Sequence, residues 1–280
     1  MSTFEDYNTT CNGYDDNRQP LGADIVAGMM HVYNNKPLKE LHLLDAGCGT
    51  GNYTKSLINY GVGKVTLMDA STGMLERAKV KLADALSRDV VVDTVEHRLP
   101  YMPFDDATFD AILFSQVLHH LDTNDDINES QRFEQLGHAI AEAGRVLCQN
   151  GTMFIMASTP DDIMNSWYNH LNMEISRKYV KKFASIHQFL DIFKRTGVTC
   201  IQKMKLLGSV LVDYDNAEGP LNKTWRDSDS YWAMANEKEI KDVEQKINAL
   251  KKDGKLKDFV EKHDRVHTNG IATLFVCKKI

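Results

Sequence analysis

An α/β fold is what this 280-residue sequence predicts: a seven-stranded sheet with helices on both faces and a helical insertion. Three observations carry that expectation. Apolar runs alternate with helix-length stretches from residue 41 to about 157, the pattern of parallel strands joined by crossover helices. The first run passes directly into Gly47-Cys48-Gly49-Thr50-Gly51, a loop with glycine at every second position. The second run ends in a carboxylate, Asp69.

In chain order, 41–45, 65–69, 90–96, 111–114 and 152–157 read as five apolar strands. Ser71, followed by Met74, Leu75, Ala78 and Leu82 at helical spacing, opens a helix after the second of them. Ser185-Ile186-His187-Gln188 has the form of a capping box, with Phe189, Leu190 and Phe193 on the apolar side and Gly197 closing the helix. Two further strands follow, 198–206 and 271–278. Between them lie about 60 residues, including an amphipathic helix through Ile240, Val243, Ile247 and Leu250 and a charge-rich stretch, 251–262, read as the solvated side of a helical hairpin. The expected organisation is a helical cover (1–40), a cofactor-binding core (41–158), lid or substrate insertions (159–184 and 207–270), and the rest of the core sheet (185–206 and 271–280).

The chain is long enough for one large α/β domain with a subdomain. With 33 basic against 39 acidic residues, a net charge of −6, it has no global basic footprint, and no nucleic-acid partner is expected. Five cysteines, at 11, 48, 148, 200 and 277, are scattered; they read as small core residues in a reducing compartment, with no disulfide framework and no metal site. The N-terminus lacks a basic segment followed by an apolar one, and no apolar run approaches the roughly 18 residues of a membrane span. A cytoplasmic protein without a membrane partner is therefore expected. Nothing in the sequence specifies an oligomeric state.

The glycine loop points to a ligand, because glycine permits positive φ in a tight turn and lets backbone N–H groups approach a bulky cofactor. In the dinucleotide fingerprint the third glycine follows the second by three residues; Gly49 and Gly51 are two apart. Asp45 precedes the loop, where a pyrophosphate would be repelled and a cation attracted. Asp45-x-Gly47-x-Gly49-x-Gly51 resembles motif I of the class I methyltransferases, whose cofactor S-adenosylmethionine (SAM) carries a sulfonium and an ammonium. The alternative is an ordinary β–α turn that uses glycine for convenience. Asp69, at the end of the second strand, is placed to accept hydrogen bonds from ribose hydroxyls, and it also fits a helix-start residue.

The resemblance extends along the chain. Met102-Pro103-Phe104-Asp105-Asp106-Ala107-Thr108-Phe109-Asp110 looks like the "LPF-x-D-x-S-F-D" run leading into the fourth strand of that superfamily. Gln116-Val117-Leu118-His119-His120-Leu121 resembles the "LHH" segment of methyltransferases related to those of ubiquinone and menaquinone biosynthesis, the methyltransferase type 11 group. Arg145-Val146-Leu147-Cys148-Gln149-Asn150-Gly151 is similar to their "RVL-x-P-G-G" turn, and Tyr14-Asp15-Asp16-Asn17-Arg18-Gln19-Pro20 to their "YD-x-x-R-x-P" leader. In this order, over more than 100 residues, the motifs together are specific. One departs from the pattern: where many relatives place an acid for the adenine amino group, this chain has Arg98, then Leu99, and arginine offers no acceptor.

The resemblance implies a Rossmann-like class I methyltransferase sheet of seven strands with a helical lid, and methyl transfer from SAM to a small-molecule acceptor at N, O or C. Asp45, Gly47, Gly49, Gly51, Asp69, Ser115, Gln116, Tyr14 and Arg18 are the implied cofactor contacts, with Arg98 and Leu99 contributing backbone only. His119 and His120 lie where a general base would act, or serve as helix-start hydrogen bonders or packed residues. Trp167, Tyr168, Tyr231 and Trp232 of the lid would enclose the acceptor, or form the core of the insertion. Two other readings stay open: a non-catalytic SAM-binding regulatory protein and an NAD-linked oxidoreductase, the second disfavoured by the glycine spacing. Asp161 and Asp162 lack a third ligand, so no metal is expected.

Overall fold

The computed structural model describes residues 17–121 and 132–279. Seven strands, β1 (His42–Ala46), β2 (Lys64–Asp69), β3 (Val91–Glu96), β4 (Phe109–Ser115), β5 (Leu147–Ala157), β6 (Val198–Leu206) and β7 (Ala272–Lys279), form one sheet in the order β3-β2-β1-β4-β5-β7-β6. The β1–β2, β1–β4, β2–β3 and β4–β5 pairs are parallel, and β7 runs antiparallel to both neighbours. The principal helices are α1 (Ala23–Tyr33), α2 (Asn52–Asn59), α3 (Thr72–Lys81), α4 (Glu134–Val146), α5 (Met173–Val180), α6 (Ile186–Arg195), α7 (Glu237–Lys252) and α8 (Leu256–His263). Among the described residues no helix is long and apolar enough to cross a membrane.

Alternation along each strand divides the core in two. Leu43, Val65, Leu67, Ala111 and Leu113 belong to one cluster, with Val26 and Met30 of α1, Leu57 of α2 and Leu75 and Ala78 of α3. Their neighbours Leu44, Met68, Ile112 and Phe114 pack in the other, with Leu136, Ala139, Ile140 and Ala143 of α4 and Phe189 and Phe193 of α6. Both sets are buried because helices cover both faces, which is why these strands read as continuous apolar runs.

Helix starts follow local chemistry. Ser71 accepts from the Met74 N–H at 3.2 Å, and Ser185 forms a reciprocal box with Gln188, accepting at 3.3 Å and donating its own N–H to Gln188 Oε1 at 2.8 Å. Asn236 caps α7 in the same reciprocal way. The fifth strand begins earlier than the sequence predicts, at Leu147, because Leu147 already pairs with Phe109 before the left-handed turn at Asn150 (φ 67°). The register shift between Phe109 and Ala111 absorbs that turn.

Sheet topology sets where a ligand would bind. Strand order reverses between β1 and β4, so their carboxyl ends open a crevice at the topological switch point. The segment between β6 and β7 folds over that end together with residues 159–184. Its interior is aromatic: Tyr168 meets Trp225 edge-on at 5.4 Å, and Tyr231 meets Trp232 edge-on at 4.9 Å.

Candidate functional site

The glycine loop follows β1 directly, and its glycines serve two purposes. All three have positive φ, at 81°, 53° and 79° for Gly47, Gly49 and Gly51. A Cβ on Gly47 would lie 2.4 Å from Val117 Cγ2, and one on Gly51 would lie 3.0 Å from Leu82 Cδ1. A Cβ on Gly49 would meet nothing within 4 Å. Gly47 and Gly51 therefore serve packing, and Gly49 keeps space open. Gly47 and Cys48 N–H groups donate to Met68 O at 2.7 and 3.1 Å, which ties the loop to the end of β2.

Two carboxylates flank it. Asp45 is buried; Oδ2 accepts from Thr54 Oγ1 at 2.6 Å, and Oδ1 has no partner. Burial pushes its pKa up to about 7, against the lowering effect of the Thr54 hydroxyl, with Asp69 adding to the rise. Asp69 accepts from Gly49 N–H (2.8 Å) and Ser71 N–H (2.9 Å), holding the loop and capping the approach to α3, while burial raises its pKa.

A cavity is walled here by Arg18, Asp45, Gly47, Gly49, Ser115 and Gln116, with Asn52, Tyr53 and Val210 among the remaining lining residues. Ser115 Oγ, like Asp45 Oδ1, is buried without a partner. An orphaned carboxylate oxygen, an orphaned hydroxyl and a glycine beside open space make a donor set suited to a cation with polar groups. SAM, with its ammonium and sulfonium, fits that set.

A second cavity adjoins the first, sharing Arg18, Gln116 and Val210. Its other walls include His119, His120, Ser158, Tyr168, Asn169, Phe183, Ser228 and Asp229. His119 and His120 form a short helical turn after β4; their rings lie 4.0 Å apart, and His119 stacks on Phe183 at 4.7 Å. Burial depresses both imidazoles, His120 to about 3, and the cations Lys182 and Arg18 add to the depression. Gln116 has φ 51°, a left-handed conformation that turns the chain from the strand into the histidine turn. Its side chain contacts Ser158 Oγ, which donates to Ile271 O at 2.9 Å.

The leader reaches the site through backbone pairing. Arg18 bridges Leu211, Gln19 N–H donates to Val210 O at 2.9 Å, and Arg18 Nε donates to Ser228 O at 2.8 Å. Arg18 thus stands on the wall between the cavities, whereas Tyr14 lies outside the described residues. Arg98 is exposed and Leu99 is buried in the second core cluster; neither lines either cavity. The turn that carries them is anchored next to Asp69 by the His97 N–H to Asp69 O bond of 3.0 Å.

Of the four lid aromatics expected to enclose an acceptor, Tyr168 alone lines the second cavity, its hydroxyl donating to Asp229 Oδ2 at 2.6 Å. Trp167, Tyr231 and Trp232 are packed inside the insertion: Trp167 meets Tyr168 edge-on and donates its indole N–H to Tyr214 O, and Tyr231 and Trp232 bury against each other and against Tyr168. Sequence reasoning missed Asn169, Ser228 and Asp229, since isolated polar residues in an insertion carry no periodic or spacing signal. Asp162 is structural, receiving Lys205 at 2.5 Å and Thr273 at 3.1 Å and closing a capping box with Thr159. Among the described residues no group of three or more metal-ligating side chains is gathered.

The "LPF" and "RVL" runs are one device. Arg145 Nη1 donates to Phe104 O and Asp106 Oδ1, both at 2.8 Å, and Nη2 to Met102 O at 2.9 Å. A single guanidinium therefore pins the run that enters β4.

Residues 44–155 match the methyltransferase domain family. This segment is a class I, SAM-dependent methyltransferase domain. Relatives of the domain include a malonyl-[acyl-carrier protein] O-methyltransferase of Ilyobacter polytropus, 25% identical over 61% of this chain and 69% of its own. A ubiquinone biosynthesis O-methyltransferase of Pelagibacter ubique is 28% identical over 59% of this chain and 65% of its own, so the chain spans about two thirds of these relatives' lengths. A solved putative methyltransferase from an antibiotic biosynthesis pathway of Anabaena variabilis superposes with a TM-score of 0.69 over 94% of this chain and 99% of its own, at 17% identity. At that identity the likeness concerns the fold, including the strand order of the methyltransferase domain.

Proposed function

We propose that the protein transfers a methyl group from SAM to a small polar molecule held in the cavity of His119, His120, Tyr168 and Asn169. The observation that supports this most is the shared wall: Arg18, Gln116 and Val210 line both the glycine-loop cavity and its neighbour, so a donor and an acceptor would meet across it. When bound, SAM supplies an electrophilic methyl group on sulfur. Asp45 and Ser115 would bind its charged and polar end, Gly49 would leave room for it, and Asp69 would keep the loop in place while offering its remaining lone pairs.

The acceptor side works by orientation and by exclusion of water. Buried imidazoles that resist protonation are weak bases but good neutral hydrogen-bonding groups. His119 and His120 are accordingly assigned to positioning the acceptor. The acceptor atom is then one that is nucleophilic before it loses a proton, or that arrives as an anion. The names of the two relatives, both O-methyltransferases, support an oxygen acceptor on a metabolite or a carrier-bound acyl group.

The test is incubation with methyl-labelled SAM and a metabolite extract, with labelled products identified by mass. A labelled small molecule is expected. Tight SAM binding without any labelled product would refute the proposal in favour of a regulatory SAM-binding protein.

A further inference from the structure

Cys200 and Cys277 are register partners in the antiparallel β6–β7 pair, which places their side chains on the same face of the sheet. Directly opposed residues of an antiparallel ladder have Cα atoms about 4.5–5.5 Å apart, inside the range a disulfide spans. Cys277 belongs to the core cluster that includes Phe193, Val198 and Phe275, and Cys200 packs against that cluster. The register shift between Cys200 and Gln202 makes Ile201 a bulged residue, and bulges re-aim neighbouring side chains. Cys200 is partly exposed, with its thiol 3.3 Å from Gln202 O, whereas Cys277 is fully buried.

We propose that Cys200 and Cys277 are a hydroperoxide-oxidisable dithiol, a covalent modification site in which the accessible Cys200 attacks and the buried Cys277 resolves. Interaction with Cys277 lowers the Cys200 pKa from its ordinary value, which favours the thiolate there. Burial instead raises the thiols of Cys48 and Cys148. In the first step the Cys200 thiolate displaces hydroxide from the peroxide O–O bond and becomes a sulfenic acid, the peroxide being reduced. In the second, Cys277 sulfur attacks the sulfenyl sulfur, the S–OH bond breaks, and the thiol proton leaves with hydroxide as water. Two electrons pass from the thiol pair to the peroxide.

The disulfide would close a loop containing the whole segment between β6 and β7, including Val210, Ser228 and Asp229 of the second cavity. Its effect on that cavity rests on the acceptor reading above; the dithiol does not. Cross-links that close long loops restrict the unfolded chain most, so the oxidised form should melt at a higher temperature, by several degrees.

The experiment treats reduced protein with hydrogen peroxide at pH 7 and follows intact mass, peptide maps and thermal midpoint. The expected result is loss of two hydrogens, a peptide joining Cys200 to Cys277, and a higher midpoint that dithiothreitol reverses. Cys277→Ser should halt the reaction at a Cys200 sulfenic acid that dimedone traps, and Cys200→Ser should abolish both products. Oxidation confined to other cysteines, or loss of two hydrogens undiminished in Cys277→Ser, would overturn the proposal. Should a variant fail to fold, the wild-type peptide map decides by itself, because absence of the 200–277 link refutes the assignment.

Discussion

Replacing Asp45 with Asn should stabilise the cofactor-free fold at alkaline pH and weaken SAM binding in the same molecule. Asp45 is buried with one oxygen unpaired, and its folded pKa is raised to about 7 from a reference of 3.8. A raised folded pKa means that the native state holds a proton the unfolded chain releases; stability from this group is full below about pH 4 and is lost as pH rises through 7. At pH 8 the buried charge costs about 4 kcal/mol, taking roughly 1.4 kcal/mol for each pH unit between the two pKa values. Asn carries no charge and can still accept from Thr54, but its amide N–H groups need partners, so a net gain of about 2 kcal/mol is expected at pH 8. Urea melts of both proteins between pH 5 and 9 should diverge from pH 5 to 7 and then run parallel. Calorimetry should show SAM affinity falling roughly 10- to 100-fold in Asp45→Asn, the loss of a charged hydrogen bond. For the wild type, proton release on SAM binding near pH 7 should appear as a buffer-dependent enthalpy. An unchanged SAM affinity, or a variant less stable than wild type at pH 8, would refute the reasoning.

Three further outcomes follow from particular contacts. Gly47→Ala places a methyl group against Val117 at positive φ and should cost about 1–3 kcal/mol in denaturant melts, whereas Gly49→Ala should cost less but weaken SAM binding because its Cβ enters open space. His120→Asn should flatten the acid limb of stability: a depressed folded pKa gives stability above the unfolded value near 6.5 that is lost as pH falls toward 3, so the variant should lose less between pH 6.5 and 4 by up to about 1.4 kcal/mol per pH unit. Tyr168→Phe should alter acceptor turnover at a cost of about 1.5–3 kcal/mol for the lost bond to Asp229, while Trp232→Ala should destabilise by roughly 3–5 kcal/mol without changing the cavity wall.

Much of the fold was legible because its signals are local. The seven strands lie within a few residues of their expected positions, apart from the early start of β5, and the caps at Ser71 and Ser185 sit where nearest-neighbour hydrogen bonding puts them. The glycine loop was legible for the same reason: Gly47, Gly49 and Gly51 report backbone conformation and close approach, which are properties of a few consecutive residues. The insertion was only partly legible. Aromatic residues in an insertion announce burial without saying whether they bury against a ligand or against each other, and here Tyr231 and Trp232 pack on each other and on Tyr168, while Trp167 packs on Tyr168.

By itself, then, the sequence determined the α/β architecture and the glycine loop between Asp45 and Asp69, since each depends on residues close together in the chain. Tertiary structure alone decided the neighbouring cavity. Arg18, His119, Asn169 and Asp229 come from four segments widely separated along the chain, brought together only when the insertion closes over the carboxyl ends of the strands. The same holds for Cys200 and Cys277, unremarkable in the chain, which become a pair through the register of β6 and β7. Such sites depend on which long-range contacts the packed core selects, and spacing in the chain does not encode that choice.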